Sequence, residues 1–519
     1  MSHAYETTER ADRAGVFFEE NKPKDDHGRR SLRAGALATV ARGVNAVVQI
    51  GSVILLARLL SPEDYGLVGM VAAIVGVASV VVDLGTRDAT IQRARVTRGE
   101  MSALFWITIA VGVGFAVFVI ASGPLIARLY SEPRLTAIAL ASSLPIVMSA
   151  LTCQHYALLR RAMMFRELAV VEVAASLIGA GSAIAMAFSG FGYWALVARP
   201  IVTSSVTVLG VWLHCRWLPG KPTITSGVKE MLKFGIHLLG FSIADFCGTN
   251  ADRVAIGIRS GASGLGYYQK AFLVYGNSLE MTTAIHGVCA TSLSKLRNDP
   301  LELKRLWSKA LSTLVFYAMP AFGVLAVISQ DLIVMLLGEK WSLAGVLLSV
   351  LALRGIPHVV ERTLGWLHVS AGRADRWMRW GVVATCVQLV ALFLGLPFGP
   401  IGVAWAYVLS MYALFIPTIA YAGRPLGIGA TDVVKVVGRP LIATLGAAGL
   451  GFVLRVTVLA DTPGMARTAL LASGYIAFYL LLMVGVFKVT SPLKVALSFL
   501  PTQFASFERS GRSRGQCAK

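Results

Sequence analysis

The sequence predicts an all-α integral membrane protein of about 14 transmembrane helices, set as two six-helix bundles around a central cavity with two further C-terminal helices. Three observations predict it. Of 519 residues, 55% are hydrophobic and 15% charged, with mean hydropathy +0.67, more apolar surface than one soluble core of this length can bury. Apolar windows of about 20 residues, enough to cross a hydrocarbon core about 30 Å thick, recur along the chain. Lys and Arg gather in alternate connections between those windows. Helices, which pair their own amides, are the backbone solution that lipid permits.

The spans follow in order. Span one runs from Gly35 to Leu60; Pro62 ends it, since proline has no amide hydrogen to give, and Gly66 opens span two, which reaches Leu84. The next four run Met101 to Gly123, Leu135 to Cys153, Leu168 to Ser189 and Phe191 to Leu213. Spans seven and eight are Phe234 to Ile258 and Leu265 to Leu293, followed by Leu306 to Ser329, Trp341 to Val359, Trp380 to Phe398 and Ile401 to Ala422. Leu441 to Leu459 and Ala466 to Phe487 complete the set.

The cationic residues test this map independently. Of the 48 Lys and Arg, 36 fall in the two tails and the even-numbered connections and six (Arg128, Arg134, Arg259, Lys340, Arg455, Arg467) in the odd-numbered ones. Because positive charge is retained on the cytoplasmic side, both termini are expected there, in a multi-pass protein of the cytoplasmic (inner) membrane. The net charge of +20 is then spread over inner loops, where it orients helices and meets anionic headgroups, and no nucleic acid is needed to explain it. Residues 1–34 mix seven basic with seven acidic side chains and lack an apolar run, so they read as a flexible cytoplasmic tail and not as a cleaved signal. The six cysteines show neither CxxC nor ligand spacing, so no metal, cofactor or disulfide framework is expected.

Setting residue n against n+200 pairs Gly35 with Gly235, Asn45 with Asp245, Gly66 with Gly266, and "DYGLVG" (64–69) with "GLGYYQ" (264–269). Span one thus matches span seven, and span two matches span eight. Halves offset by an even number of helices keep one orientation in the membrane, as in parallel-repeat transporters, and a cleft between them is the expected site. The organisation that follows is a tail (1–34), an N-terminal bundle (35–215), a C-terminal bundle (216–422), two additional helices (423–488) and a basic cytoplasmic tail (489–519).

The stretches "ARLLSPEDYGLVGMVAAIVGVASVVVDLGTRDATIQR" (57–93), "ADRVAIGIRSGASGLGYYQKA" (251–271), "DLIVMLLGEKW" (331–341) and "SAGRADRW" (370–377) resemble the polysaccharide-export branch of the multidrug/oligosaccharidyl-lipid/polysaccharide exporter superfamily, the Wzx-type lipid-linked oligosaccharide flippases. The resemblance runs from about Gly35 to Phe487. It implies two bundles around a central cavity and the movement of an undecaprenyl-pyrophosphate-linked saccharide from the inner to the outer leaflet. Membrane lipids, the polysaccharide polymerase and the export machinery are the partners it suggests.

Charged and polar side chains at membrane depth are costly, about 2.5–3.5 kcal/mol for a central Arg, and so mark candidate sites. On span one Arg42, Asn45, Gln49 and Ser52 form one stripe at i, i+3, i+7 and i+10. Arg199 lies deep in span six beside Pro200, and Arg354 in span ten. Arg42, Asn45, Gln49, Arg199 and Arg354 are the expected substrate-binding set, because the planar guanidinium donates to phosphate oxygens in pairs; snorkelling to headgroups is the alternative for Arg42 and a structural ion pair for Arg199. Asp245, Asp252, Arg253 and Glu280 are the candidates for ion coupling or gating. Lys270 is expected to snorkel, and Tyr267, Tyr268 and Tyr275 to anchor at the interface or stack on sugars.

Three functional classes compete. A membrane-embedded saccharide polymerase would need a large catalytic loop or metal site, and the outward loops are short with no Walker-type phosphate loop. A cation-coupled drug exporter of the same superfamily would favour an acidic cavity, whereas Arg42, Arg199 and Arg354 outnumber Asp245 and Glu280. The preferred reading is therefore a flippase for an anionic lipid-linked saccharide, working by alternating access, with Asp245 able to carry a proton or sodium ion.

Overall fold

The computed structural model describes residues 27–83, 96–223, 225–280, 299–370 and 373–489, with isolated positions between 84 and 95 and at 293 and 492. Among these residues the regular structure is helical throughout. The long helices are α1 (His27–Leu59), α2 (Pro62–Asp83), α3 (Arg98–Tyr130), α4 (Arg134–Ser142), α5 (Leu144–Arg161), α6 (Phe165–Phe188), α7 (Tyr193–Cys215) and α8 (Ser226–Glu280). They continue with α9 (Pro300–Leu337), α10 (Ser342–Ser370), α11 (Ala374–Gly395), α12 (Gly399–Gly423), α13 (Ala430–Thr457) and α14 (Gly464–Leu480). Ten helical segments among the described residues are long and apolar enough to cross a membrane, against the 14 or so expected; α4 with α5 forms one of them, and α11 with α12 another. The chain divides into two compact units, residues 1–269 and 270–519.

The helices outrun the apolar windows. α9 covers 300–337, where hydropathy suggested 306–329, and α10 continues to Ser370 beyond the expected Val359. A hydropathy window stops at the first charges, whereas a helix stops only where its backbone bonds fail or are capped. The start of α2 is corrected in the same way. Pro62 does not merely end α1; it occupies the first turn of α2, where a missing amide costs nothing. Ser61 caps that turn: its backbone N–H donates to Asp64 Oδ2 at 2.8 Å, and the Asp64 N–H donates to Ser61 Oγ at 3.2 Å.

Within the first unit, the connections alternate between two ends. At one end Arg134 pairs with Glu63 at 2.6 Å and Glu132 at 3.0 Å, tying the α1–α2 turn to the α3–α4 turn. The α6–α7 turn joins them, since a Cβ on Gly192 would sit 3.2 Å from Asp64 Oδ1. At the other end Thr97 and Glu100 form a capping box. Glu100 there accepts from Thr225 Oγ1 at 2.7 Å, and the Gly220 N–H donates to Ser102 Oγ at 2.9 Å. Arg161 donates to the Thr90 and Arg93 carbonyls at this end. The linker after α7 is thus fastened to the start of α3 at Gly220 and Thr225.

α8 is two helices joined at Gly261, whose φ of 69° and ψ of −172° suit glycine alone. Tyr268 Oη donates to Asp252 Oδ2 at 2.7 Å across 16 residues of sequence, groups that a straight helix would hold about 24 Å apart. The chain therefore doubles back at Gly261, as the separation of spans seven and eight requires. The n+200 register puts this turn opposite Ser61, the turn between α1 and α2. The correspondence extends to packing: a Cβ on Gly66 would lie 1.7 Å from the Ala262 carbonyl oxygen, and one on Gly266 would lie 1.9 Å from that of Pro62. Each repeat's glycine thus receives the other repeat's first helical turn.

In the second unit α9 packs on α10, α13 and α14. Buried Asp331 accepts from Arg467 at 2.5 Å and lies 3.3 Å from Arg455, while at the opposite end Lys304 reaches Asp432 at 2.8 Å. Between these clamps Phe316, Val327, Leu471, Tyr475 and Tyr479 form an apolar core. The two C-terminal helices are therefore integral to the second unit.

Candidate functional site

α1, α6 and α7 line an open cavity of about 570 Å³ in the first unit, within the range typical of ligand sites. Small residues set its walls. A Cβ on Gly179 would fall 2.0 Å from Thr203 Oγ1 and one on Gly210 2.6 Å from Val171 Cγ2, so α6 and α7 approach closely along their length. Pro200 lies inside the continuous α7 and, having no N–H, leaves the Leu196 carbonyl without its helical donor. Its polar lining is Asn45 and Gln49 from α1, Glu172 and Ser176 from α6, and Arg199, Thr203, Ser204 and Thr207 from α7, with Ala175 and Pro200 between them.

Arg199 Nη2 donates to Gln49 Oε1 across the cavity. On the far side Tyr156 of α5 donates its hydroxyl to Glu172 Oε1, and the Arg87 guanidinium lies over the Tyr156 ring at 5.1 Å. The site thus offers one guanidinium, one carboxylate, two amides and four hydroxyls. Amides and hydroxyls both give and accept hydrogen bonds, as sugar hydroxyls demand, and the guanidinium adds paired donors for an anionic oxygen.

Of the expected substrate-binding residues, the structure brings Asn45, Gln49 and Arg199 together here. Arg42, one turn from Asn45, is exposed and outside the lining, and Ser52 is buried with its hydroxyl on the Gln49 carbonyl. Arg354 lies in the second unit, its guanidinium 5.1 Å from the Tyr407 ring centre and 6.0 Å from that of Tyr275. Asp252 is buried between Tyr268 and the Arg253 amide, with Arg253 Nη1 on Asn250 Oδ1 at 2.7 Å, so this set closes the α8 turn. Glu280 is exposed and 4.0 Å from Arg362. The Asp245 side chain lies outside the described residues.

Three expectations are corrected. Tyr268 and Tyr275 are buried and hydrogen-bonded, so neither anchors at an interface nor stacks on a sugar. Lys270 does not snorkel; it is 5% exposed, with its ammonium 5.9 Å from the Trp341 ring centre. Sequence reasoning also missed Glu172, a lone acid near the start of span five. The signal was there: one helical turn on, Ser176 shares its face.

Comparison with known proteins places these features in a family. The family model described as "Polysaccharide biosynthesis protein" matches residues 55–345. The chain belongs to that family. Among curated proteins, the polysaccharide biosynthesis chain is 26% identical over 362 residues to the lipopolysaccharide biosynthesis protein WzxC of Escherichia coli, covering 68% of this chain and 73% of that one. It is 25% identical over 343 residues to the teichuronic acid biosynthesis protein TuaB of Bacillus subtilis, covering 65% and 71%. The succinoglycan biosynthesis transport protein ExoT of Rhizobium meliloti is 25% identical over 399 residues, covering 75% and 80%.

Among solved structures, the lipid II flippase MurJ in an inward closed conformation superposes with a TM-score of 0.66 at 15% identity, covering 87% of this chain and 99% of that one. An inward-facing multidrug resistance MATE family transporter of the MOP superfamily gives 0.56 at 13%, covering 75% and 98%. The fold of this family member is therefore that of the MurJ and MATE transporters. It is a multi-pass membrane protein.

Proposed function

We propose that the protein flips a polyprenyl-pyrophosphate-linked oligosaccharide from the inner to the outer leaflet of the cytoplasmic membrane by alternating access, with both termini in the cytoplasm. The observation that carries this reading is the cavity of about 570 Å³, lined by amides, hydroxyls and Arg199, in a polysaccharide biosynthesis protein. The four hydroxyls and two amides suit the hydroxyls of a sugar, and the Arg199 guanidinium suits an anionic oxygen. The polyprenyl tail stays in lipid. Cargo oxygens replace Gln49 as the acceptor of Arg199, so binding exchanges one hydrogen bond for a charge-assisted one. Arg42, one turn away on α1, draws the pyrophosphate toward the cavity. The polymerase and export machinery take the saccharide on the outer side.

The test is complementation of a strain lacking the protein by Arg199→Lys, Arg199→Ala, Arg42→Lys and Arg42→Ala at matched abundance. A charge-assisted contact is worth about 1.5–3 kcal/mol. Export is therefore expected to fall in the order wild type, Lys, Ala at each position, while lipid-linked saccharide builds up in the inner leaflet in the same order. Normal export by a well-inserted Arg199→Ala variant removes the cavity from the account. If Arg42→Lys works as well as wild type, Arg42 is a headgroup anchor only.

A further inference from the structure

Glu361 of α10 carries a carboxylate into the second unit that the reading above does not use. With Leu364 it faces one stripe of α12, Met411, Leu414, Phe415 and Thr418, across a cavity of about 10 Å³, room for about one water. It is half-buried. Among the described residues, its carboxylate makes no hydrogen bond and no ion pair within 4 Å.

On α10, His358 lies one turn back and Arg354 two turns back on the same face, Arg354 about 10 Å away along the axis. From α8, the Tyr275 hydroxyl lies 2.7 Å from His358 Nδ1, and Glu280 faces Arg362 at 4.0 Å, so that Arg362 has an acidic neighbour of its own. From α12, Tyr407 presents its ring to Arg354, and from α9 Phe322 packs at 5.8 Å on Tyr275. The charged groups of α11 stand at the helix end: Arg376 lies 4.2 Å from the Tyr421 ring centre, and Asp375 is beside it in sequence.

A metal ion is a poor fit, since hard cations need a shell of six or more oxygens. Here one carboxylate meets a single hydroxyl, that of Thr418, which already donates to the Leu414 carbonyl and accepts from Trp380 Nε1. One exchangeable proton and one water are what the space and the ligands admit. We propose that Glu361 is a proton-binding site. Deprotonated, its charge is balanced by Arg354 along α10; protonated, the carboxyl is neutral against the apolar stripe of α12, which then packs without burying a charge. The proton comes from and returns to water, and no bond other than O–H changes. The inference rests on the transporter reading, in which this exchange couples a proton gradient to the second unit.

The experiment needs no cargo, so a wrong assignment of the saccharide leaves its outcome untouched. Purified full-length protein is treated with dicyclohexylcarbodiimide, which modifies protonated carboxyls in apolar surroundings, over a series of pH values, and the adducts are mapped by peptide mass spectrometry. An adduct on Glu361 is expected that falls about tenfold per pH unit on the alkaline side of its profile and is absent in Glu361→Gln. Infrared difference spectra between acid and alkaline samples should contain a protonated-carboxyl C=O band that Glu361→Gln lacks and Glu361→Asp retains, which guards against a misfolded variant. Glu361 unmodified at every pH, modified equally at all of them, or an infrared band unchanged in Glu361→Gln would overturn the proposal.

Discussion

Replacement of Gly66 by alanine tests the helix crossing that joins the two repeats. The new Cβ would stand 1.7 Å from the Ala262 carbonyl oxygen, where real Cβ atoms keep at least 3.0 Å, so the α2–α8 crossing must open by more than about 1.3 Å. The obstacle is backbone and cannot swing aside, which puts the cost toward the upper part of the overpacking range, about 2–3 kcal/mol. Helix propensity returns about 1 kcal/mol of this, because alanine is the better helix former. A net loss of about 1–2 kcal/mol lowers the Tm of detergent-purified protein by a few degrees. Gly266→Ala meets the Pro62 carbonyl at 1.9 Å and should cost about the same. The double variant should cost less than the two losses added together, since one opening of the crossing relieves both contacts. Gly114→Ala is the control: nothing lies within 4 Å of its Cβ, so alanine there should leave Tm unchanged or raise it. Equal Tm values for Gly66→Ala, Gly266→Ala and Gly114→Ala would refute the close crossing.

Two further outcomes follow from the fold. Asp331→Ala leaves Arg455 and Arg467 without their shared carboxylate, at a cost of about 3 kcal/mol; limited proteolysis should then cut first near α13 and α14, and Asp331→Glu should restore protection. Reporter fusions after Asp64, Gly190 and Phe398 should lie outside the cell and those after Arg95, Pro222 and Gly372 inside; a reporter after Pro222 found outside would overturn the inner placement of the linker.

What was legible in the sequence is what depends on pattern. The hairpin turns at Ser61 and Gly261 were visible as breaks in apolar runs, and the faint n+200 repeat located both, because each repeat had to keep a glycine where the other's backbone approaches. Asn45 and Gln49 were readable from their shared helix face, and Arg199 from its depth. Glu172, Asp331 and Glu361 were not. Hydropathy windows close at charged residues, so Asp331 and Glu361 fell just beyond spans nine and ten, although α9 and α10 continue past them. The buried roles of Tyr268 and Tyr275 depend on partners 16 and 83 residues away, Asp252 and His358, which no local pattern reveals. The separation of Arg42 from the cavity lining is likewise a matter of packing, since its spacing on α1 matches that of Asn45 and Gln49.

The central claim concerns cargo and direction, and deletion of the gene tests it most directly. Inner- and outer-leaflet lipids from the deletion strain are separated by their accessibility to a membrane-impermeant glycan-modifying enzyme and identified by mass spectrometry. The account predicts that one polyprenyl-pyrophosphate-linked oligosaccharide accumulates, confined to the inner leaflet, and that the wild-type gene returns it to the outer one. Accumulation of the same lipid already in the outer leaflet, or an unchanged lipid-linked pool with export intact, would contradict it.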